Sequence, residues 1–375
     1  MKMSWVTLDR ICDERRLSDE SYRRLIEDSD RPLRCAAAQL SDEELLGKLR
    51  GFGFDFDRDG LRRLCEGALS AEEVARPLME SCGFRNDRER VQGEWIWICL
   101  VALWQRWWPD QACLELVDDK IQAGYHEPDE FTRAAIWLDA WSDVLSLCDA
   151  ADIDSIDEFD DRFPMTQSLY NWGQDLQDAL WNAGLRDRAL LRARIAVCEA
   201  ALGRFSDQDQ LLVENRRRAL AESYFEVGET DQAEELFRSW LDADPCWGFG
   251  WIGWAACHFY CASRPKNYAK AEVLLRQGFS VPGVRDRDAV AEWLQILCKE
   301  TGRASEAREL GWQARQLKPQ PGLRSMSDRT HPDGHNAQEE VLQASSTVGF
   351  ADAGPPLTEL AVASSAERAC QVLCV

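Results

Sequence analysis

Glu214-Asn-Arg-Arg-Arg-Ala-Leu-Ala-Glu-Ser-Tyr-Phe-Glu-Val-Gly-Glu-Thr-Asp-Gln-Ala-Glu-Glu-Leu-Phe-Arg-Ser-Trp-Leu-Asp-Ala-Asp-Pro245 is the stretch on which the fold turns. Ala221 and Ala233 are spaced to sit where two antiparallel helices cross, with Tyr224 and Phe237 filling the space beside them. Gly228 falls at the end of the first helix, where glycine takes a positive φ at little cost, and Pro245 stops the second. The pattern then repeats in outline. Ala271, Leu275 and Pro282 form a second copy, and Gly302, Ala307, Ala314 and Pro319 a third. Ala233, Ala271 and Ala307 lie 38 and 36 residues apart, the length of two helices and two short turns, which marks a helical solenoid.

The first copy resembles a tetratricopeptide repeat, with Trp240 departing from the usual alanine. The second starts near Gly248 and carries extra residues at Ser263 to Asn267; the third starts near Asp288 and has Gly311 where an aromatic is usual. The resemblance implies that positions 2, 5, 9, 12 and 13 of each first helix line a concave face. Those positions hold Asn215, Arg218, Glu222, Phe225 and Glu226 in the first copy, Phe249, Ile252, Ala256, Phe259 and Tyr260 in the second, and Ala289, Glu292, Ile296, Lys299 and Glu300 in the third; the candidate contacts among them are Arg218, Glu222, Phe225, Phe249, Ile252, Phe259, Tyr260, Glu292 and Ile296. An aromatic floor flanked by charge suits an extended or helical protein segment with one or two apolar anchors. Trp247, Trp251 and Trp254 share another face at i, i+4 and i+7 and read as core, beside a stripe of Gly250, Gly253 and Cys257 that permits close helix approach.

Upstream, residues 41–50, 61–80, 94–108, 111–124, 131–149, 167–183 and 188–203 carry helical periodicity, with Ser41, Asp59, Ser70 and Asp187 as caps or near-caps. The expected organisation is an N-terminal segment (1–40), a helical region (41–149), a helical region with one degenerate repeat (150–213), three repeats (214–319) and a mostly disordered tail (320–375). A weak boundary is expected at the acidic stretch Asp149 to Asp161. Three motifs resemble the bacterial helical-repeat proteins that often end in a SEC-C zinc motif: Ser41-Asp-Glu-Glu-Leu-Leu with Phe52-Gly-Phe54; Leu103-Trp-Gln-Arg-Trp-Trp-Pro-Asp110 with Asp118-Asp119 and Gln122-Ala-Gly-Tyr125; and Asp244-Pro-Cys-Trp247 running on to Ala255. Asn171-Trp172 with Asp175-Leu176 fits the same group. That resemblance implies an all-α fold and no particular chemistry. The tail lacks the Cys-x-Cys and Cys-Cys or Cys-His pairs of the zinc motif, so that module is not expected.

Composition agrees with an all-α, tetratricopeptide-like solenoid. Hydrophobic residues make up 45% of 375, including sixteen tryptophans, enough for a long core. Fourteen cysteines are scattered singly through apolar segments, which reads as buried thiols rather than a disulfide framework. The pairs Cys257/Cys261 and Cys370/Cys374 have no companion at zinc-finger spacing. A net charge of −22 argues against nucleic acid or an anionic membrane as partner. The longest apolar run, Trp95 to Trp104, is too short to span a bilayer, and Met1-Lys-Met-Ser-Trp lacks a secretory core, so a cytoplasmic protein is expected.

Asp55, Asp57, Asp59 and Glu66, with Gly60 between, satisfy the written calcium-loop pattern of an EF-hand. Arg62 and Arg63 place two cations beside such a site, and the competing reading is that Asp57 or Asp59 caps a helix beginning near Leu61. The cluster Asp152, Asp154, Asp157, Glu158, Asp160 and Asp161 could hold magnesium, but no positioned His, Lys or nucleophile accompanies it. Four histidines and no phosphate loop, nucleophile elbow or metalloprotease helix leave little for catalysis. The expectation is a non-catalytic scaffold, without cofactor, that binds a protein or peptide segment. A calcium- or magnesium-responsive protein is the alternative, and an enzyme with an unrecognised site the third reading.

Overall fold

The computed structural model describes residues 4–21, 23–24, 31–205, 209–261 and 265–317; the stop at Pro319 and the tail from 320, with His331, His335, Cys370 and Cys374, lie outside them. Among the described residues the chain is all-helical, with no strand. No described helix is long and apolar enough to cross a membrane. Two compact units divide the chain, Met1–Ala233 and Glu234–Val375, so the division falls inside the first repeat copy.

Unit 1 begins with α1 (Trp5–Ser18) and the short α2 (Arg34–Ala37), in a segment whose periodicity suggested no helix. The reason is compositional: α1 buries only Val6 and Cys12, and charged residues crowd the rest of it. Next come α3 (Asp42–Gly51), α4 (Arg58–Leu64) and α5 (Ala71–Ser81). Ser41 and Glu44 close a reciprocal capping box at the start of α3. The expected single helix over 61–80 is two, because Gly67 turns with a φ of +76° and Ser70 caps a new start.

The long α6 (Asp87–Trp107) and α7 (Leu114–His126) follow, then α8 (Glu130–Ala151), α9 (Ile156–Arg162), α10 (Leu169–Gly184), α11 (Arg188–Arg204) and α12 (Gln210–Val227). One apolar cluster gathers Val6, Leu45, Leu61, Val74 and much of α6 from Ile96 to Trp104. A second runs from Leu114 to Leu212 and takes in Ile153, Ile156 and Phe159, so packing continues through the acidic stretch. Gly124 is required where it stands, because a Cβ there would enter the Trp137 indole, whose Nε1 donates to the Ile121 carbonyl at 2.9 Å. Trp172 is fully buried beside Trp137 and Trp141, each ring centre 6.4 Å away.

Helix α13 (Thr230–Ala243) crosses the division, and unit 2 continues with α14 (Gly248–Phe259), α15 (Tyr268–Ser280), α16 (Arg287–Glu300) and α17 (Ala304–Leu317). Helix α14 packs on both α15 and α16; α16 packs in turn on α15 and α17. Ala221, Ala233, Phe237, Ala271, Leu275, Ala307 and Ala314 of the repeat pattern are buried. Gly228 and Gly302 follow their helices with φ of +99° and +76°, the left-handed stop that the spacing predicts.

Candidate functional site

The aromatic surface of unit 2 is built outward from the turn before α14. Asp244 Oδ1 accepts from the Cys246 amide at 3.1 Å, and its other oxygen holds Arg285 at 2.7 Å. The Arg285 amide donates to the Cys246 carbonyl at 2.9 Å, lacing the turn before α16 to the turn before α14. Trp251 lies across Gly278, whose missing side chain lets α15 close on α14, and its Nε1 donates to the Pro245 carbonyl at 2.9 Å. Trp254 stacks between Phe237 and Trp251, with centroids 6.0 and 6.3 Å away. Trp247, Trp251 and Trp254 are all buried, as a packing stripe should be.

At the far end of α14, Phe259 and Tyr260 meet α16. Both rings pack edge-on against Trp293, at 5.8 and 5.2 Å, and Phe259 also meets Tyr268 at 6.2 Å. Burial raises the Tyr260 hydroxyl above its ordinary pKa, with Glu300 and Tyr268 adding to the effect. Tyr268 donates to Glu300 at 3.2 Å, and Lys266 stands 3.6 Å from the same carboxyl, which gives this end a charged rim.

One side of α14 is polar. Glu234 faces His258, whose Nε2 is 3.0 Å from Oε1, and Lys270 binds the same oxygen. Burial alone would raise the Glu234 carboxyl, but hydrogen bonding to His258 and Lys270, with their charges, outweighs it, and its pKa falls to about 2. Lys270 also lies 6.0 Å from the Trp254 ring centre, so the cluster closes over the tryptophan stack.

The residues expected on the concave face divide by unit. Arg218, Glu222 and Phe225 belong to unit 1; Arg218 and Phe225 are buried, and Arg218 Nε lies 3.6 Å from Glu222 within the helix. Phe249, Ile252, Phe259, Tyr260, Glu292 and Ile296 belong to unit 2. Ile252 and Phe259 are 0% and 1% exposed, which makes them packing residues rather than open floor. Phe249, Tyr260, Glu292 and Ile296 stay half-buried, so these four of the six keep accessible surface.

One residue of each acidic stretch caps a helix. Asp57 caps α4, its Oδ1 accepting from the Gly60 amide at 2.6 Å, while Asp59 sits inside the first turn of that helix. Asp55 is an exposed partner of Arg50 at 3.3 Å. Residues 58–64 are helical, which leaves Asp55, Asp59 and Glu66 spread along the segment instead of wrapped round an ion. Asp160 accepts from the amides of Leu169 and Tyr170 at 2.6 and 3.3 Å, so it caps α10, and burial pushes its pKa up to about 6. Among the described residues no three His, Cys, Asp or Glu side chains converge as a metal-holding group, and no disulfide joins any two of the twelve described cysteines.

Sequence reasoning passed over two buried carboxyls on α7. Glu115, 1% exposed, accepts from Ser70 Oγ, the amides of Ala71 and Glu72, and Trp97 Nε1, all within 2.8–3.0 Å. Asp118, 0% exposed, holds Arg10 at 3.0 Å and accepts from the Thr166 amide and hydroxyl at 2.6 and 3.0 Å. The one signal was the Asp118-Asp119 pair among the quoted motifs, which carried no role by itself. No protein-family model matches the chain, and no curated protein or solved structure does so either.

Proposed function

We propose that the chain is a non-catalytic, tetratricopeptide-like helical-repeat scaffold, acting in the cytoplasm, that captures a protein segment on the α14/α16 face of unit 2. The observation that carries the reading is the packing of α14, which lies on its neighbour α15 and on the next helix but one, α16. Stacked helix pairs meet in this way, with first helices side by side along one surface. The spacing of Gly228, Ala233, Ala271, Gly302 and Ala307 supports the same register. Phe249, Tyr260 and Ile296 supply half-buried apolar area, and Glu292 supplies charge beside it. An amphipathic helix or extended segment with a hydrophobic anchor and a nearby cation fits that chemistry.

The test is selection of peptides from a displayed library on the intact chain, followed by affinity measurement on a Phe249→Ala/Tyr260→Ala double variant. Removing both aromatic rings should weaken the selected peptides by roughly 2 kcal/mol or more, and circular dichroism should show the helical fold retained although the Tyr260 ring also packs on Trp293. Phe259 is unsuitable for this purpose, since its removal would open the core. Selected peptides that bind the double variant undiminished would move the binding surface elsewhere.

A further inference from the structure

Unit 1 contains a cavity that the repeat reading does not use. Its volume is about 690 Å³, in the range of sites that enclose small organic ligands. It opens between α1, α2, α6 and α7. Ala37, Ile98, Val101 and Ala102 make an apolar floor, and the walls are charged.

The charges are not equally committed. Arg10 binds Asp118 and Asp119 at 3.0 and 2.9 Å, and Arg34 engages both oxygens of Asp119. Arg106 donates to Asp42 at 2.9 Å and to the carbonyls of Leu40, Ala37 and Ala38. Asp13 is held by Arg16 at 2.7 Å. Asp9 differs. It lines the cavity and accepts no hydrogen bond from any described residue, while Arg34 and Arg31 act on it only through their fields.

A half-buried carboxylate that accepts no hydrogen bond from a described residue has its charge balanced only by the fields of Arg34 and Arg31, and a cationic ligand would supply a direct partner. An anion would meet Asp9, and the three arginines of the wall are already paired. A divalent metal would find no converging trio of ligands among the described residues. A neutral apolar guest would fill the floor but leave Asp9 as it was. We infer that this cavity binds a primary ammonium group on an aliphatic stem, the head paired with Asp9 and the stem lying on Ile98, Val101 and Ala102. A free diamine and a lysine side chain both present that chemistry.

Titration of the full-length chain with 1,5-diaminopentane and, separately, with Nα-acetyl-lysine N-methylamide distinguishes the two sources. The Nε-acetylated lysine derivative serves as the neutral control. Saturable binding of either amine, weakened about tenfold or more by Asp9→Asn, is the expected result. Because Asp9 accepts no hydrogen bond from a described residue, the asparagine has none to replace. Ala102→Phe tests the same site without touching the charge: the ring occupies the floor where the stem would lie, and binding should weaken with Asp9 intact. The inference is overturned if neither amine binds at about 10 mM. Equal affinity of Asp9→Asn, of Ala102→Phe or of the neutral control would overturn it too.

Discussion

Units 1 and 2 both pack aromatic rings between helices, yet they differ in where carboxyls enter the joints. Unit 1 lays Trp137 over Gly124 and packs Trp172 beside Trp137 and Trp141, and it sets single carboxyls, buried or half-buried, into further joints: Glu115 caps α5 from α7, Asp118 ties α1 and Thr166 to α7, and Asp160 caps α10 from α9. In unit 2 Trp251 lies on Gly278, with Phe237, Trp254, Phe259 and Trp293 continuing the packing, and its charged joints, Asp244 with Arg285 and Glu234 with His258 and Lys270, flank that aromatic run. A hydrogen-bonded carboxyl is directional and has one acceptable partner set, whereas aromatic burial is non-directional and scales with area. Joints of the first kind make each helix pair singular. Joints of the second kind can recur at a fixed spacing, which is why self-similarity is visible in the sequence of unit 2 and fades through unit 1.

The sharpest way to break that contrast is Glu115→Ala. Four donors would lose their acceptor inside the protein, and the expected destabilisation is about 3–5 kcal/mol. Hydrogen exchange read by mass spectrometry should show reduced protection centred on α5, α6 and α7, with unit 2 unchanged. Uniform loss in both units, or a cost under about 1 kcal/mol, would show that the carboxyl is not a joint.

How much of this was legible depended on the range of the interaction. Ser41, Ser70 and Asp187 declare helix starts because a cap and its amides lie within three residues, and the structure uses all three. Gly228 and Gly302 were readable for the same reason. Glu115 was not, because Leu-Glu-Leu looks like a solvent-facing position until the N-terminus of α5, more than forty residues earlier, is placed over it. The cavity needed still more: Asp9, Arg34, Val101 and Asp119 come from four separate helices. Among the face residues, register alone could not tell Phe259 from Tyr260. Tyr268 and Trp293, which cover Phe259, lie in the next two helices.

Acidity should separate the units in opposite directions. Burial raises Asp9 to about 6 against Arg34 and Arg31, with Asp13 and Glu94 adding to the rise. Its folded state therefore holds a proton that the unfolded chain releases from about pH 4 upward, so this group's contribution falls as pH rises from about 4 to 6. Glu234 runs the other way: with a folded pKa of about 2, it contributes above the unfolded value of 4.5 and loses that contribution as pH falls toward 2. In urea unfolding, Asp9→Asn should be relatively stabilising near pH 7 and near-neutral by about pH 4. Glu234→Gln should be destabilising near pH 6, with the deficit shrinking by about pH 3. Parallel pH trends in the two variants would remove the distinction.

The smallest effect separates a cap from a metal loop within unit 1. Asp57→Ala removes the acceptor for the Gly60 amide and should cost about 1 kcal/mol. Among the described residues Asp55 pairs with Arg50 alone, at the surface, so Asp55→Ala should stay within about 0.5 kcal/mol of the parent. A calcium loop would not allow that asymmetry, since both aspartates would be ligands and loss of either would abolish stabilisation by the ion. Thermal midpoints measured with calcium and with chelator should therefore coincide for the parent and both variants. A calcium-dependent rise in the parent that Asp55→Ala removes would return residues 55–66 to metal binding and make α4 an element formed only without the ion.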